Sequence, residues 1–161
     1  MKKIEYCEFY EEKFDFVVGE ELTRGFDYYS ACALFNKKEY KVGIINRDFG
    51  LKPQFEQYDN LVIVGHNNKV SLIDLSSKSV REFEIFPVFF EFFKYGEKIV
   101  VVGEIQVLCI ANNKVIWEKS FDDIIDVVTF KDGKLTIRKW ESQEWITMDA
   151  DSGAIIPNDE Y

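Results

Sequence analysis

The chain has 161 residues, of which 47% are hydrophobic and 16% aromatic, and its formal net charge is −9. The hydrophobic content excludes a disordered chain, and the length predicts a single domain over 1–161 that buries a core without disulfides. The acidity argues against nucleic acid or a membrane as partner, because both attract Lys and Arg. It suits a soluble acidic surface or a basic protein partner, since complementary charges speed association.

The three cysteines, Cys7, Cys32 and Cys109, are odd in number and widely spaced. This spacing predicts neither a disulfide framework nor a zinc site. We expect all three to act as small apolar residues in a reducing compartment. The N-terminus has no signal-peptide run, and no apolar run is long enough to cross a membrane. The sequence therefore predicts a cytoplasmic protein.

Residues 1–54 are expected to form N-terminal strands, and residues 1–27 are the least regular part of the chain. Apolar side chains near the N-terminus alternate with polar ones, which predicts one or two half-buried strands: Ile4, Tyr6, Phe14, Phe16 and Val18. The polar stretch 8–13 is either a turn of helix or a hairpin loop. Next, 29–35 and 40–45 predict a hairpin, with an amphipathic helix over 28–38 as the alternative.

From Phe55 onwards, one pattern recurs about every 36 residues. Segment 89–95 lines up with 124–130, because in each case two bulky residues, an acid and two more bulky residues lead to an aromatic, a turn and a β-rich run. A related copy starts at Phe55. The pattern predicts repeats over 55–95, 96–130 and 131–156, the last one truncated, with 26–54 as a candidate degenerate copy.

The first repeat shows how the strands are expected to follow one another. Its run 61–64 is continuously apolar, which is typical of a strand covered on both faces. Asn tolerates the left-handed conformation that tight hairpin turns require, so Asn67-Asn68 and Asn112-Asn113 predict hairpin turns. The four strands are assigned to 61–64, 69–74, 80–86 and 89–95.

The run from Trp145 to Gly153 alternates apolar and polar residues and ends in Asp, two residues and Ser-Gly. It resembles the strand and turn of β-propeller blades of the quinoprotein-like or WD type, and 107–118 resembles the same element with an Asn-Asn turn. The resemblance covers 55–155 and implies an all-β fold of tandem four-stranded units. Since propellers usually close with at least four blades, it implies an incomplete propeller or a curved antiparallel meander. No Gly-His pair is followed by a Trp-Asp pair as in WD repeats, so the family's scaffold role is not carried over.

Candidate catalytic and metal-binding residues are few. His66, the only histidine, lies beside a hairpin turn, where we expect an exposed side chain rather than a catalytic base. Asp149-x-Asp151-x-Gly153, with Glu160 at the twelfth position, resembles a calcium loop but lacks its sixth-position Gly, so a tight turn is favoured. No glycine-rich phosphate loop is present. The sequence predicts no catalytic residue, metal or cofactor, and therefore no enzyme.

Acidic residues cluster at two related places in the repeats. Asp122, Asp123 and Asp126 form one cluster, and Glu82 and Glu84 precede it in the chain. Such carboxylates serve glycoside hydrolysis when their separation is fixed, which no motif does here. They form either a solvated strand face or a negative patch for a basic partner. Aromatic residues such as Trp140 and Phe49 are candidate anchors. The candidate partner-binding residues are Asp122, Asp123, Asp126, Glu82, Glu84 and Trp140.

Together these features favour a protein–protein interaction module. The most specific hypothesis is a bacterial immunity or inhibitor protein whose acidic surface blocks a basic toxin or nuclease. One alternative is a small-molecule or carbohydrate-binding β protein with a pocket at one end of the units. Another is a structural module completed by homo-oligomerisation, because an incomplete ring leaves sheet edges to cover. We expect a monomer or a small homo-oligomer.

Overall fold

The computed structural model describes residues 1–20, 25–47 and 50–157, in which four sheets of four strands account for nearly all the regular structure. The first sheet comprises β1 (Lys2–Ile4), β2 (Phe16–Val18), β3 (Phe26–Phe35) and β4 (Lys38–Arg47), with helix α1 (Tyr6–Glu11) between β1 and β2. Its order is β1-β3-β4-β2, and only the β2–β4 pair is parallel. The N-terminal region thus holds the two short strands that were expected, with the helical turn rather than the hairpin loop between them.

The other three sheets are antiparallel meanders in chain order. The second contains β5 (Gln54–Tyr58), β6 (Leu61–His66), β7 (Lys69–Asp74) and β8 (Ser79–Glu84). The third contains β9 (Phe89–Tyr95), β10 (Lys98–Gly103), β11 (Gln106–Ala111) and β12 (Lys114–Ser120). The fourth contains β13 (Ile125–Lys131), β14 (Lys134–Lys139), β15 (Trp145–Asp149) and β16 (Ile155–Ile156).

The strand assignment at the end of each repeat was wrong by one strand. Phe89–Tyr95 pairs with β10 and opens the third sheet, whereas the sequence analysis placed it as the fourth strand of the preceding unit. The same displacement applies to β13, which pairs with β14. With this correction, the truncated last copy becomes a complete four-stranded sheet. The candidate degenerate copy, 26–54, supplies β3 and β4 of the first sheet, which β1 and β2 complete. The hairpin predicted over 29–45 is confirmed as β3–β4, so the alternative helix is excluded.

Two compact units divide the chain, Met1–Glu84 and Ile85–Tyr161, and each has its own core. In the first, Val42 and Ile44 of β4 pack with Val62 and Val64 of β6, all of them at 0% exposure. In the second, Val100 of β10 packs in one cluster with residues of β14 and β15. Burial of this apolar surface is the main favourable term in folding each unit. The single domain over 1–161 stays a prediction.

Among the described residues, three hairpins turn through two residues that both have positive φ, as type I′ turns require. The turns are Asn36-Lys37 (φ 49° and 63°), Asn112-Asn113 (50° and 58°) and Asp132-Gly133 (51° and 72°). Asn67 is also left-handed, with φ 49°. The Asn pairs therefore form the turns that the sequence predicts.

The outer edge of β3 is partly closed by a side chain. Leu34 donates its backbone N–H to Gln57 Oε1 at 3.0 Å, and Gln57 Nε2 donates to the Leu34 carbonyl at 2.7 Å. The amide of Gln57, on β5, thus supplies both hydrogen bonds that a neighbouring strand would make. It also links the first sheet to the second.

The cysteines differ from their prediction in part. Cys109 is buried, and burial raises the pKa of its thiol to about 11. Cys7 and Cys32 are exposed, so they do not serve as core residues. All three are free thiols. Within the described ranges, no helix has the length and apolar character needed to cross a membrane.

Candidate functional site

The loops at one end of the third and fourth sheets form a continuous surface, because antiparallel strands return to the same end. Glu104 donates its N–H to the Val88 carbonyl at 3.0 Å, and the Glu104 carbonyl accepts from Ile125 N–H at 2.8 Å. Trp140 N–H donates to the Ile124 carbonyl at 2.7 Å. We name this surface the loop rim; it consists of residues 85–88, 104–105, 121–124 and 140–144.

The loop rim exposes large apolar side chains. Phe86 is 62% exposed, Trp140 59% and Ile124 42%. Trp145, the first residue of β15, is 46% exposed immediately after the rim. Single exposed apolar residues are ordinary, but Ile124 and Trp140 are joined by a backbone hydrogen bond, and the segment of Phe86 is linked to theirs through Glu104.

The charge of the loop rim is of one sign. Its four segments contain five acids and neither Lys nor Arg. The adjacent Lys139, at the end of β14, is only 8% exposed, and its Nζ lies 2.8 Å from Asp122 Oδ1 and 3.0 Å from Glu144 Oε2. The hydrogen bond from Lys139 lowers the pKa of Asp122, whose side chain is 86% exposed. Asp122 therefore stays ionised and presents its remaining oxygen to solvent.

Asp123 holds the loop that carries Trp140. Its Oδ2 accepts the backbone N–H groups of Glu141 and Ser142, each at 3.0 Å, and the Ser142 hydroxyl at 3.2 Å. The backbone bond from Ser142 is the main reason that the pKa of Asp123 is lowered. Local hydrogen bonds of this kind order a loop without a regular element. Asp123 thus positions the rim more than it offers a free charge.

Asp126 lies beside the rim on β13 and is paired internally. It accepts from Arg138 Nε at 3.1 Å and from Arg138 Nη2 at 2.5 Å, a bidentate contact that lowers its pKa. The Arg138 guanidinium also lies over the Trp145 ring, 5.6 Å from its centre. The Asp126 side chain is largely buried, at 13% exposure. Asp126 therefore stabilises the β13–β14 pair.

The predicted residues fall into separate places. The structure brings Asp122, Asp123 and Trp140 together on the loop rim, with Asp126 next to them. Glu82 and Glu84 lie on β8 in the first unit. Their role in partner binding stays a prediction. Four further rim residues were not among the predicted ones: Phe86, Ile124, Glu141 and Glu144. The available signal was that Ile124 follows Asp123 and Glu141 follows Trp140 in the chain. Phe86 and Glu144 are not next to a predicted residue.

Glu82 belongs to a hydrogen-bonded chain that ends at His66. Lys69 Nζ lies 2.9 Å from Glu82 Oε2, and the Ser71 hydroxyl donates to Glu82 Oε1 at 3.3 Å. His66 Nε2 lies 2.8 Å from Ser71 Oγ. Because that hydroxyl donates to the carboxylate, the imidazole must donate its Nε2–H to Ser71. Burial alone would raise the pKa of Glu82. The hydrogen bond from Lys69 and its positive charge outweigh burial, so the pKa of Glu82 is lowered.

The expectation that His66 is exposed was wrong. Its side chain is at 0% exposure because it lies on the covered face of β6 at the turn into β7. Burial lowers the pKa of His66 to about 4. Its Nδ1 faces the amide of Asn67 at 3.4 Å. A neutral, buried imidazole that donates to a serine has the wrong proton arrangement for activating that serine as a nucleophile.

The Asp149 turn is the tight turn that the sequence favours. Asp149 Oδ1 accepts the N–H and the hydroxyl of Ser152, both at 2.8 Å, and the hydroxyl bond is the main cause of the lowered pKa of Asp149. Asp74 makes the same contacts with Ser76, at 2.8 and 2.5 Å, and its pKa falls to about 2. Groups of acids, His and Cys able to hold a metal are not found among the described residues. Phe49 and Glu160 lie outside these residues.

An open cleft in the first unit is lined by α1, by β1 and by residues 30–32 of β3. Its volume is about 760 Å³, and Glu8, Glu11, Glu12 and Cys32 contribute to its lining. Two of these carboxylates have internal partners: Glu8 accepts the backbone N–H of Glu5 at 3.0 Å, and Glu12 pairs with Lys41. The cleft is wide and has no enclosed apolar floor of the kind that small-molecule sites show.

Comparisons with known proteins identify the fold. The WD40 domain of Pan2 from Neurospora crassa superposes with a TM-score of 0.51 at 14% identity, over 66% of this chain and 36% of that one. The CNH domain of AfRom2 aligns at 8% identity over 84% of this chain and 47% of that one, with a TM-score of 0.48. The chain thus spans less than half the length of each. No family model matches the sequence, and no curated protein matches it significantly. The four-stranded sheets and the Pan2 likeness show the propeller-type fold that the motifs implied.

Proposed function

We propose that this chain is a protein-interaction module that binds a basic protein through the loop rim. The observation that carries the proposal is the combination found there: three exposed apolar side chains among five acids, with no Lys or Arg in the same segments. Interfaces commonly place aromatic anchors at the centre and charged residues around them. The negative charge selects a partner of positive charge, because like charges brought together are costly.

The rigidity of the rim supports the same proposal. Asp123 fixes the Trp140 loop through two backbone N–H groups, and Lys139 is held between Asp122 and Glu144. A surface that is ordered before binding loses less conformational entropy on association. The rim therefore offers a preformed face to its partner.

The experiment is an affinity capture from the native lysate with matched variants. The rim variant combines Trp140→Ser and Glu141→Lys; the control combines Ile116→Ser and Glu118→Lys on β12, where Ile116 is 46% exposed. Both variants make the same change in charge, and each removes one exposed apolar side chain. We expect the unmodified chain and the control to capture one stoichiometric basic protein that the rim variant loses. Equal capture by both variants, or an acidic partner, would contradict the proposal.

The narrower hypothesis is an immunity or inhibitor protein whose captured partner is a toxin or nuclease. Acidic surfaces suit this task because the active sites of nucleases attract phosphate and are basic. If the hypothesis holds, an equimolar amount of the chain abolishes the activity of the purified partner, and the rim variant does not. A partner without toxic or nuclease activity would overturn this hypothesis while leaving the interaction module in place.

A further inference from the structure

Two tryptophans are exposed at the same end of the second unit, but their surroundings differ. Trp145 carries the Arg138 guanidinium over its ring at 5.6 Å, and Asp126 holds that guanidinium in a bidentate contact. Carboxylate, guanidinium and indole thus form a complete stack within the chain. This arrangement satisfies the charge of the arginine and the face of the ring together.

Trp140 has an exposed indole and is followed in the chain by an exposed acid, Glu141, but it has no cation. Of the described residues, none places a cation over Trp140, which is 59% exposed. Glu141, the next residue, is exposed, and its carboxylate makes no hydrogen bond or ion pair with another described residue. The neighbouring Lys139 is buried and occupied by Asp122 and Glu144. The rim therefore lacks a cation of its own for this ring.

We infer that the partner supplies an arginine whose guanidinium stacks on Trp140 and hydrogen bonds to Glu141. The inference rests on the proposed function and names the chemistry of the partner at the same surface. Arginine fits better than lysine, because a planar guanidinium stacks on an indole and binds a carboxylate with two N–H groups. Tryptophan and arginine are also the residues that most often dominate binding at interfaces.

The indole N–H signals of Trp117, Trp140 and Trp145 provide the test. The ¹⁵N-labelled chain is titrated with the blocked peptide acetyl-Gly-Arg-Gly-Arg-Gly-amide, and with versions that carry lysine or the neutral isostere citrulline. We expect the Trp140 signal to shift saturably with the arginine peptide, about five-fold more weakly with lysine and not with citrulline. Trp145 is the matched control, since Arg138 already covers it, and its signal should stay in place.

Variants of the two contact residues complete the test. Glu141→Gln keeps the shape and removes the charge, so it should weaken the arginine peptide several-fold without moving the indole signals of the free protein. Equal shifts of Trp140 and Trp145, or equal binding of the citrulline peptide, would overturn the inference. If the captured partner needs the rim but binds Trp140→Phe and Glu141→Gln as tightly as the unmodified chain, the inference fails and the proposed function stands.

Discussion

At the scale of single residues, Gly153 illustrates how one side chain fixes the turn of a neighbouring sheet. The residue has φ 69°, and a Cβ there would lie 2.7 Å from Cδ2 of Trp117. Trp117 in turn donates its indole N–H to the Ala150 carbonyl at 3.1 Å. Trp117 therefore packs on the turn between β15 and β16, and the turn has room for it only because position 153 is glycine.

The change Gly153→Ala should destabilise the protein more than Gly96→Ala. Both positions have positive φ, so both variants carry similar backbone strain. Only position 153 adds a clash, because nothing lies within 4 Å of a Cβ at Gly96. We expect an excess of about 1–2 kcal/mol in the free energy of unfolding, from urea denaturation. Equal losses would show that Trp117 moves aside freely.

His66 makes stability depend on pH in a defined window. Its pKa in the folded protein is about 4, against 6.5 for an unperturbed imidazole, so between these values the unfolded chain binds the extra proton. The contribution of neutral His66 to the free energy of unfolding is therefore complete above pH 6.5 and falls as the pH drops towards 4. The loss amounts to about 3 kcal/mol. The groups that face it are Ser71, Asn67, Lys69 and Glu82.

The measurement is urea unfolding at several pH values for the unmodified chain and for His66→Gln. The variant should be less stable at pH 7 but should lose the slope between pH 6.5 and 4. Carboxylates such as Asp74, whose pKa is about 2, contribute only below the pH at which free Asp protonates. An unchanged slope in the variant would assign the pH dependence to other groups.

At the scale of elements, the β3–β4 hairpin contains a correctable strain. Lys37 adopts φ 63° at the second position of a type I′ turn, which glycine fills without a Cβ clash. We expect Lys37→Gly to stabilise the protein by about 0.5 kcal/mol, because relief of left-handed strain exceeds the added flexibility of the unfolded chain. A higher thermal unfolding midpoint of the variant than of the unmodified chain would show this stabilisation.

The control for that change is Lys114→Gly, which removes the same charge from the first residue of β12. There the backbone is extended, so glycine should lower stability by about 0.5–1 kcal/mol. A loss in both variants would mean that the turn tolerates lysine without strain.

The strands show how far a repeat can be read from its residues. The likeness of 89–95 to 124–130 correctly identified β9 and β13 as equivalent strands, but similarity alone does not say where a repeat begins. The signal that decides this is burial. After their first residues, Lys98 and Gln106, β10 and β11 are buried throughout and continuously apolar because they are the central strands of their sheet. One edge strand then precedes each central pair and one follows it, which assigns β9 to the sheet it opens.

At the scale of the whole molecule, the net charge of −9 acts on the approach of a basic partner. Long-range attraction accelerates encounter and is screened within about 10 Å at 0.1 M salt. We expect the association rate with the captured partner to fall about tenfold between roughly 0.05 and 0.5 M salt. Surface plasmon resonance measures this association rate.

The variant Trp140→Phe should raise the dissociation rate of the same complex and leave the salt dependence of the association rate unchanged. An association rate independent of salt concentration would show that the net charge does not accelerate the encounter with the partner.

The composition of the rim could be predicted from sequence, but its internal pairing could not. Asp122, Asp123 and Trp140 stand out as acids and an aromatic near strand ends. That Asp126 is occupied by Arg138 depends on the register of β13 and β14, where an irregularity falls between Ile125 and Val127. Register is set by the packing of whole sheets, so a local pattern does not contain it.

The amide of Gln57 has a consequence for association between copies of the chain. Unpaired backbone groups at the edge of a sheet are a template on which another extended chain can grow, and such growth leads to fibres. By bonding both backbone groups of Leu34, Gln57 occupies that template from within the same molecule. Leu34 itself is 64% exposed, so an open edge there would combine free backbone groups with an apolar side chain. Since β1 pairs with residues 28–30 of the same edge, this uncharged side chain blocks part of what β1 leaves open on the long β3 strand.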